Sequence, residues 1–351
     1  MTRDHVGITG LGTYVPAGRL SAADLAEASG LPEWVVREKL GIAARVLPGA
    51  DDHPVAMGVT AGARALQDAG VRPEDVDVVI SMTEEYKEYP VWTAGIKLAY
   101  DVGARNAYAY DLGQKCGTAV LALKQANDLL IADPSVDVVL VAGGYRNSDL
   151  IRFTDPDVRF MYNLGAGAGA AVVQRGKGHR LLGASIVTDG SFSLDVLVPV
   201  GGTKAPLTSD NLDDYRLRVP DPAGMKARLE STSLDNFVTV VERAVAKSGA
   251  SMADIDYLAM LHVKRSAHDY LLDRLGLTER QSTYLSDYGH LGQVDQLLSL
   301  EIARDNGTLK PGDLAVAVAA GVGYVWNAIA LRWAGADGAQ ADGAPASGAP
   351  A

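Results

Sequence analysis

One cysteine, Cys116, stands in 351 residues. An internal disulfide is therefore excluded, and a reducing compartment is the natural setting. Aromatic residues are scarce, at 6%, whereas 38 glycines promise tight turns and close backbone packing. No basic run stands out; the net charge is −11 and the pI is near 5.0, which argues against a nucleic-acid partner. No apolar stretch reaches the ~20 residues that span a bilayer. The opening MTRDHVGITG lacks the apolar core of a signal peptide. These absences lead us to expect a soluble, cytoplasmic protein with no membrane contact.

What is present has the pattern of an α/β protein, with strand-like runs alternating with helix-like ones. HVGITGLGTYV (5–15), DVVISM (77–82), NAYAYDL (106–112) and VDVVLVAGG (136–144) read as strands in the first part of the chain. GAAVVQ (169–174), RLLGASIV (180–187), IDYLAMLH (255–262), DLAVAVAA (313–320) and GYVWNAIALRW (323–333) follow. Helices are expected for AADLAEASG and PEWVVREKLG, each closed by glycine, and over 54–69, 91–100, 116–132, 232–248, 266–275 and 293–305. Continuous Val/Ile runs between helices imply a sheet covered on both faces. Residues 190–230, rich in Gly, Pro, Asp and Ser, read as a long site-shaping excursion. The Ala/Gly/Pro tail, 335–351, is expected to be disordered. The length suits two fused units.

Cys116 falls between the strand YAY and a mostly apolar helix. The N-terminus of such a buried helix points free amides into the protein. A thiolate there is stabilised and its nucleophilicity raised. A buried, inert thiol is the commoner fate of a lone cysteine, so partners decide the matter. Of six histidines, His5 and His179 read as surface, His53 as part of a helix cap and His268 as a helix-face residue. His262 closes an apolar strand, at the end where open α/β sheets place functional groups. His290 lies in the glycine-flanked turn SDYGHLGQVD before another apolar helix.

The order and spacing of ITGLGTYVP, PEWVVREKLGIAAR, CGTAV, GAGAGAAVV, LHVKRSAHDYLL, DYGHLGQVD and GTLKPGDLAVAVAAGVGYVWNAIALRW resemble the thiolase superfamily, specifically ketoacyl-ACP synthase III-like condensing enzymes. The likeness runs over nearly the whole chain. It implies an α/β fold, a five-layered αβαβα sandwich of two similar halves, 1–175 with the cysteine and 176–334 with both histidines. It implies a homodimer with NAYAYDL near its interface. Cys116 would carry an acyl group taken from acyl-CoA or acyl carrier protein, and a malonyl thioester would condense with it to a 3-oxoacyl thioester. His262 would stabilise the enolate, and the amides of Cys116 and Gly323 would form the oxyanion hole. Trp34, with Arg37 or Lys39, would lie at the mouth of a pantetheine tunnel. No metal and no bound cofactor are implied; the CoA or phosphopantetheine thioester is substrate. Fatty acid or polyketide biosynthesis is the implied setting.

Three positions depart from the family pattern. His290 stands where asparagine is usual, so it can donate to an enolate or act as a base for transfer to a hydroxyl, amine or carbon nucleophile. Lys264 and Arg265 replace small and polar residues after His262, which alters the approach of CoA or carrier protein. With Arg37 and Lys39 they are the candidates for a basic docking patch. Ala166 stands where aspartate is common, a change read as structural. Glu84, 32 residues before Cys116, matches the glutamate of hydroxymethylglutaryl-CoA synthases and is an alternative base. An ordinary polar loop is the preferred reading of Glu84 and Glu85. A non-catalytic subunit of a synthase complex is the alternative from another class.

Overall fold

The computed structural model describes residues 5–335; residues 336–351 of the expected disordered tail lie outside them. The first half contains β1 (Val6–Tyr14), β2 (Gly18–Ser21), α1 (Ala22–Ser29), β3 (Ala44–Leu47), α2 (Pro54–Ala69), β4 (Val78–Ser81), α3 (Ala94–Val102), β5 (Tyr108–Asp111), α4 (Thr118–Ala132), β6 (Val138–Tyr145) and β7 (Gly167–Arg175). The second contains β8 (His179–Thr188), α5 (Pro222–Lys247), β9 (Ile255–Met260), α6 (Arg265–Leu275), α7 (Asp295–Asp305), β10 (Leu314–Gly321) and β11 (Val325–Arg332).

Apart from the small β2–β3 pair, the strands order as β5-β4-β6-β7-β1-β8-β11-β10-β9. β4 runs parallel to β5 and β6, and β9 parallel to β10; the remaining neighbours are antiparallel. β1 meets β8 only at Gly7–Arg180 and Ile8–His179, so the sheet is two sheets joined at a seam. Three buried apolar clusters show how they stack. One joins inward faces of both sheets around α4 and α7, through Val120, Leu123, Leu297 and Leu300. A second packs α2 and α3 on the outer face of the first sheet, and a third packs α5 and α6 on the outer face of the second. The result is five layers, helix–sheet–helix–sheet–helix, with α4 and α7 in the middle.

Local chemistry accounts for the elements. β6, VVLVAGGY, is buried along its whole length, as a strand covered on both faces must be. α1 starts at a capping box, Ser21 and Asp24 each bonding the other's backbone amide. α2 lies directly on β1 because both present small residues; a Cβ added at Gly12 would sit 2.5 Å from the Ala61 oxygen and the Ala65 nitrogen.

Some elements differ from expectation. The helix read as 232–248 begins ten residues earlier, inside the excursion, because Asp221 caps it and Pro222 occupies its first turn. PEWVVREKLG yields one π-type turn, Val35–Lys39, and the segments before α1 and after this turn build the unpredicted pair β2–β3. The Cys116 helix is α-helical only from Thr118, with a 3-10 turn over Lys115–Gly117. Gly12→Val should lower the thermal unfolding midpoint by overpacking the α2–β1 contact, at a cost of about 1–3 kcal/mol. An unchanged midpoint would show that α2 can lift off β1 freely.

Candidate active site

The turn that holds Cys116 is tied from both halves. Within it, Gly117 N donates to Gln114 O at 3.1 Å, and Thr118 Oγ1 donates to Lys115 O at 2.6 Å. From β11, Asn327 Nδ2 donates to Gln114 Oε1 and to Gly117 O, both at 2.8 Å. From β10, Gly321 backs onto the turn so closely that a Cβ there would meet Gln114 O at 2.6 Å and Cys116 N at 3.1 Å. Lys115 sits in the left-handed region, at φ 52°, which costs a non-glycine residue about 1–2 kcal/mol. The sulfur is partly exposed to a cavity of about 1370 Å³ whose walls include Cys116, His262 and His290.

His290 Nε2 lies 3.1 Å from Cys116 Sγ. Its Nδ1 donates to Asp295 Oδ2 at 2.6 Å. Asp295 is fully buried at the first position of α7. It accepts two further hydrogen bonds, from Leu291 N and from His262 N, both at 2.7 Å. Burial works against a charged His290, but the Asp295 carboxylate and the Cys116 sulfur outweigh it and hold the imidazole well above its ordinary value. Its two close partners thus favour the charged form of the ring, the partner a thiolate nucleophile needs.

His262 has the opposite surroundings. Its Nδ1 accepts from Asn163 Nδ2 at 2.8 Å, and its Nε2 donates to Gly41 O at 3.1 Å. Burial dominates, with His290 nearby, and lowers its pKa to about 4 despite the Asp295 charge. The ring is neutral, with its proton on Nε2, and it makes no hydrogen bond to the sulfur. The two expected histidines thus line one cavity with pKa values moved in opposite directions.

Other expected residues fall in two groups. Lys264 lines the cavity, as do Leu40 and Ile42, which follow Trp34, Arg37 and Lys39 in sequence. Trp34, Arg37, Lys39 and Arg265 are not among the wall residues. Trp34 is 53% exposed, Arg37 pairs with Glu33 at 2.6 Å, and Arg265 pairs with Asp269 and Glu279 at 2.8 Å each. Gly323 sits in the turn between β10 and β11, whose Val322 and Tyr324 line the cavity. Glu84 corrects its reading as an ordinary polar loop. It is 7% exposed, lines the cavity and lies 3.4 Å from Lys115 Nζ, whereas Glu85 is open to solvent. Its backbone follows the end of β4, where Glu84 N bonds Gly144 O and draws the side chain inward.

Two residues at the centre have no forecast role, Asp295 and Asn163. The signal for Asp295 was an acidic residue at a helix start five positions after a histidine, a cap and a charge partner at once. Asn163 reaches His262 from a distant loop, and nothing local marks it.

A sulfur, an imidazole and a buried carboxylate in line on a five-layered fold define a cysteine-dependent acyltransferase of thiolase architecture. The comparisons agree. Residues 110–190 match the family described as 3-oxoacyl-[acyl-carrier-protein] synthase III, and residues 245–333 match that family's C-terminal part. Beta-ketoacyl-[acyl-carrier-protein] synthase III of Symbiobacterium thermophilum is 29% identical over 332 residues, covering 93% of this chain and 98% of the relative. The Synechocystis protein of the same name is 25% identical over 332 residues, covering 93% and 97%. The solved structure of the Thermus thermophilus synthase III superposes with a TM-score of 0.82 at 25% identity, covering 95% of this chain and all of that one. Xanthomonas campestris OleA shares the fold, with a TM-score of 0.78 at 18% identity over 94% of this chain and 97% of its own. The two matched segments and the fold are those of ketoacyl-ACP synthase III-like condensing enzymes of the thiolase superfamily, to which the chain is similar over most of its length.

Two expectations follow. Asp295→Asn removes the strongest support of the charged His290, so alkylation of Cys116 by iodoacetamide at pH 7 should slow by about tenfold or more. A rate and pH profile matching the parent would show that the carboxylate does not act through His290. Stability should also fall on acidification. His179, His262 and His268 have pKa values lowered to about 4, chiefly by burial, while the unfolded rings titrate near 6.5. Below pH 6.5 the unfolded chain binds protons that these native rings refuse. Their stabilisation is complete above 6.5 and declines toward pH 4, by up to ~1.4 kcal/mol per pH unit for each ring. His290 adds no slope there, being protonated in both states; its contribution is lost as pH rises from 6.5 through its raised native value. Thermal midpoints measured from pH 7 to pH 4 check this; a flat profile would contradict it.

Proposed function

We propose that Cys116 takes an acyl group from a CoA or carrier-protein thioester and passes it to a malonyl thioester, giving a 3-oxoacyl product. The observation that carries this reading is the Cys116–His290–Asp295 line opening on a cavity of about 1370 Å³. That volume exceeds the ~300–1,000 Å³ of a site for one drug-sized ligand and suits two substrates in turn. The sulfur attacks the thioester carbonyl, and the donor thiolate leaves. The amides of Cys116 and Gly323 serve as the oxyanion hole in this reading. The malonyl thioester then loses carbon dioxide, its carbanion attacks the acyl carbon, and the Cys116 sulfur departs. His262 faces the enolate, which requires its Nε2 proton to turn from Gly41 O to the substrate.

A second reading has its own support. His262 already spends its only N–H on Gly41, and His290 is backed by a carboxylate as a catalytic base is. Both features favour transfer to a hydroxyl or amine without decarboxylation. Among donors, free CoA thioesters are favoured over carrier protein, because Arg37 and Arg265 are already neutralised by carboxylates. A homodimer is supported by β5, an edge strand whose Tyr108 is 54% exposed beside the exposed Ile96 and Tyr100 of α3.

Intact-protein mass spectrometry after incubation with a panel of acyl-CoAs should show one acyl group, absent in Cys116→Ala. Addition of malonyl-CoA should discharge it with release of carbon dioxide. Under the condensing reading, His262→Ala loads normally yet fails to discharge; equal loss of both half-reactions would overturn its role. Discharge by hydroxyl or amine acceptors without malonyl-CoA would establish the second reading.

A further inference from the structure

The end of the cavity beside Cys116 is charged. Glu84 is more than nine-tenths buried there. Its Oε1 accepts from Glu85 N at 2.9 Å and from Lys115 Nζ at 3.4 Å. Its Oε2 makes no hydrogen bond among the described residues. Unlike the buried and unpaired Glu88 Oε2, this oxygen keeps accessible surface, and because Glu84 lines the cavity a substrate donor can reach it there.

The neighbouring charges determine the kind of group. Lys115 Nζ is held by two carboxylates, lying 2.6 Å from Glu85 Oε2 as well as near Glu84. Two negative charges face one positive charge. Asp295 and His290 form a further pair that cancels. Glu85 is 82% exposed and screened by solvent, so Glu84 is the carboxylate that faces the cavity, and Lys115 is already occupied. Lys115 also holds a left-handed backbone where glycine would sit without strain, directly before the nucleophile. Strain kept at a functional site points to a role for the side chain that imposes it. That role is to fix Glu84 with one oxygen turned to the cavity.

We propose that Glu84 forms a cation-accepting subsite beside Cys116, and that a substrate of this enzyme seated next to the thioester carries a protonated amino group. The proposal rests on Cys116 being the reacting sulfur. An alkyl chain would cover Oε2 without giving it a donor, and a carboxylate there would face the Glu84 carboxylate.

The test uses thiol reagents of one size and different charge, and needs no acyl substrate. The full chain is treated with 2-aminoethyl, 2-sulfonatoethyl and methyl methanethiosulfonate, and modification of Cys116 is timed by intact mass. The cationic reagent should react faster than the anionic one, relative to the neutral reagent. Glu84→Gln should reduce the cation-to-anion rate ratio at least about tenfold at low salt. Glu85→Gln makes the same charge change on a side chain that is 82% exposed and should move the ratio less than about twofold. Lys115→Gln should raise the ratio, which keeps the test open should Glu84→Gln fail to fold. A ratio insensitive to Glu84, equally sensitive to Glu85, or lowered by Lys115→Gln would overturn the subsite. Acyl-CoA loading is a separate readout. Loading without Glu84-dependent selectivity sinks only the subsite, and selectivity without loading sinks only the donor assignment.

Discussion

The site depends on one buried carboxylate. Asp295 has no exposed surface, and an isolated ion there would cost several kcal/mol. The cost is offset because every neighbour donates. Leu291 N and His262 N each give a hydrogen bond, and the His290 ring gives a third. The start of α7 adds the favourable end of its dipole. One group thereby fixes the backbone of the His262 strand end, the turn of His290 and the charge on the ring that faces the sulfur. Without it, two histidine segments and a helix terminus would each need another partner.

The five layers bring that carboxylate to the sulfur. Cys116 enters the middle layer on α4 and Asp295 on α7, and these helices share the apolar cluster between the sheets. Their N-terminal ends meet in the same region, each preceded by a 3-10 turn. Strands from the second half, β10 and β11, then hold the cysteine turn through Gly321 and Asn327. The nucleophile belongs to one half, yet its geometry is set by the other. The seam between the halves is only two residue pairs long, so α4, α7 and these crossing bonds carry the coupling.

Those elements were legible where the signal was local. Val-rich strands, the glycine-closed helix AADLAEASG and the cysteine at a helix entrance are short-range patterns, and the described structure has them at the expected places. His262 and His290 were found because each ends or begins an apolar element. Where the deciding contact was remote, the sequence was silent. Glu84 looks solvated within TEEYKE, because nothing in that charged run says that Glu84 turns inward while Glu85 turns out. Asn163 matters only because its loop crosses to His262, 99 residues away. The start of α5 was missed for a different reason. Its first two turns lie in a Gly/Pro/Asp-rich stretch, where composition masks the Asp221–Pro222 cap.

The two imidazoles stand in one cavity, share one carboxylate, and still part company in charge. The ring nitrogen of His290 meets the carboxylate directly, whereas His262 offers it only a backbone amide. His262 is left with a carbonyl and an amide for company, neither of which requires a proton beyond the one already on Nε2. Environments that push two like groups apart divide labour between them. In the proposed reaction, a ring that favours its charged form suits a sulfur that carries negative charge before acylation and again as it departs. The neutral ring suits a hydrogen bond to an oxygen that gains charge later, at the price of releasing Gly41. In the proposed reaction, the Nε2–H bond of His262 to the Gly41 carbonyl is the contact that must be given up before the ring can serve a substrate oxygen.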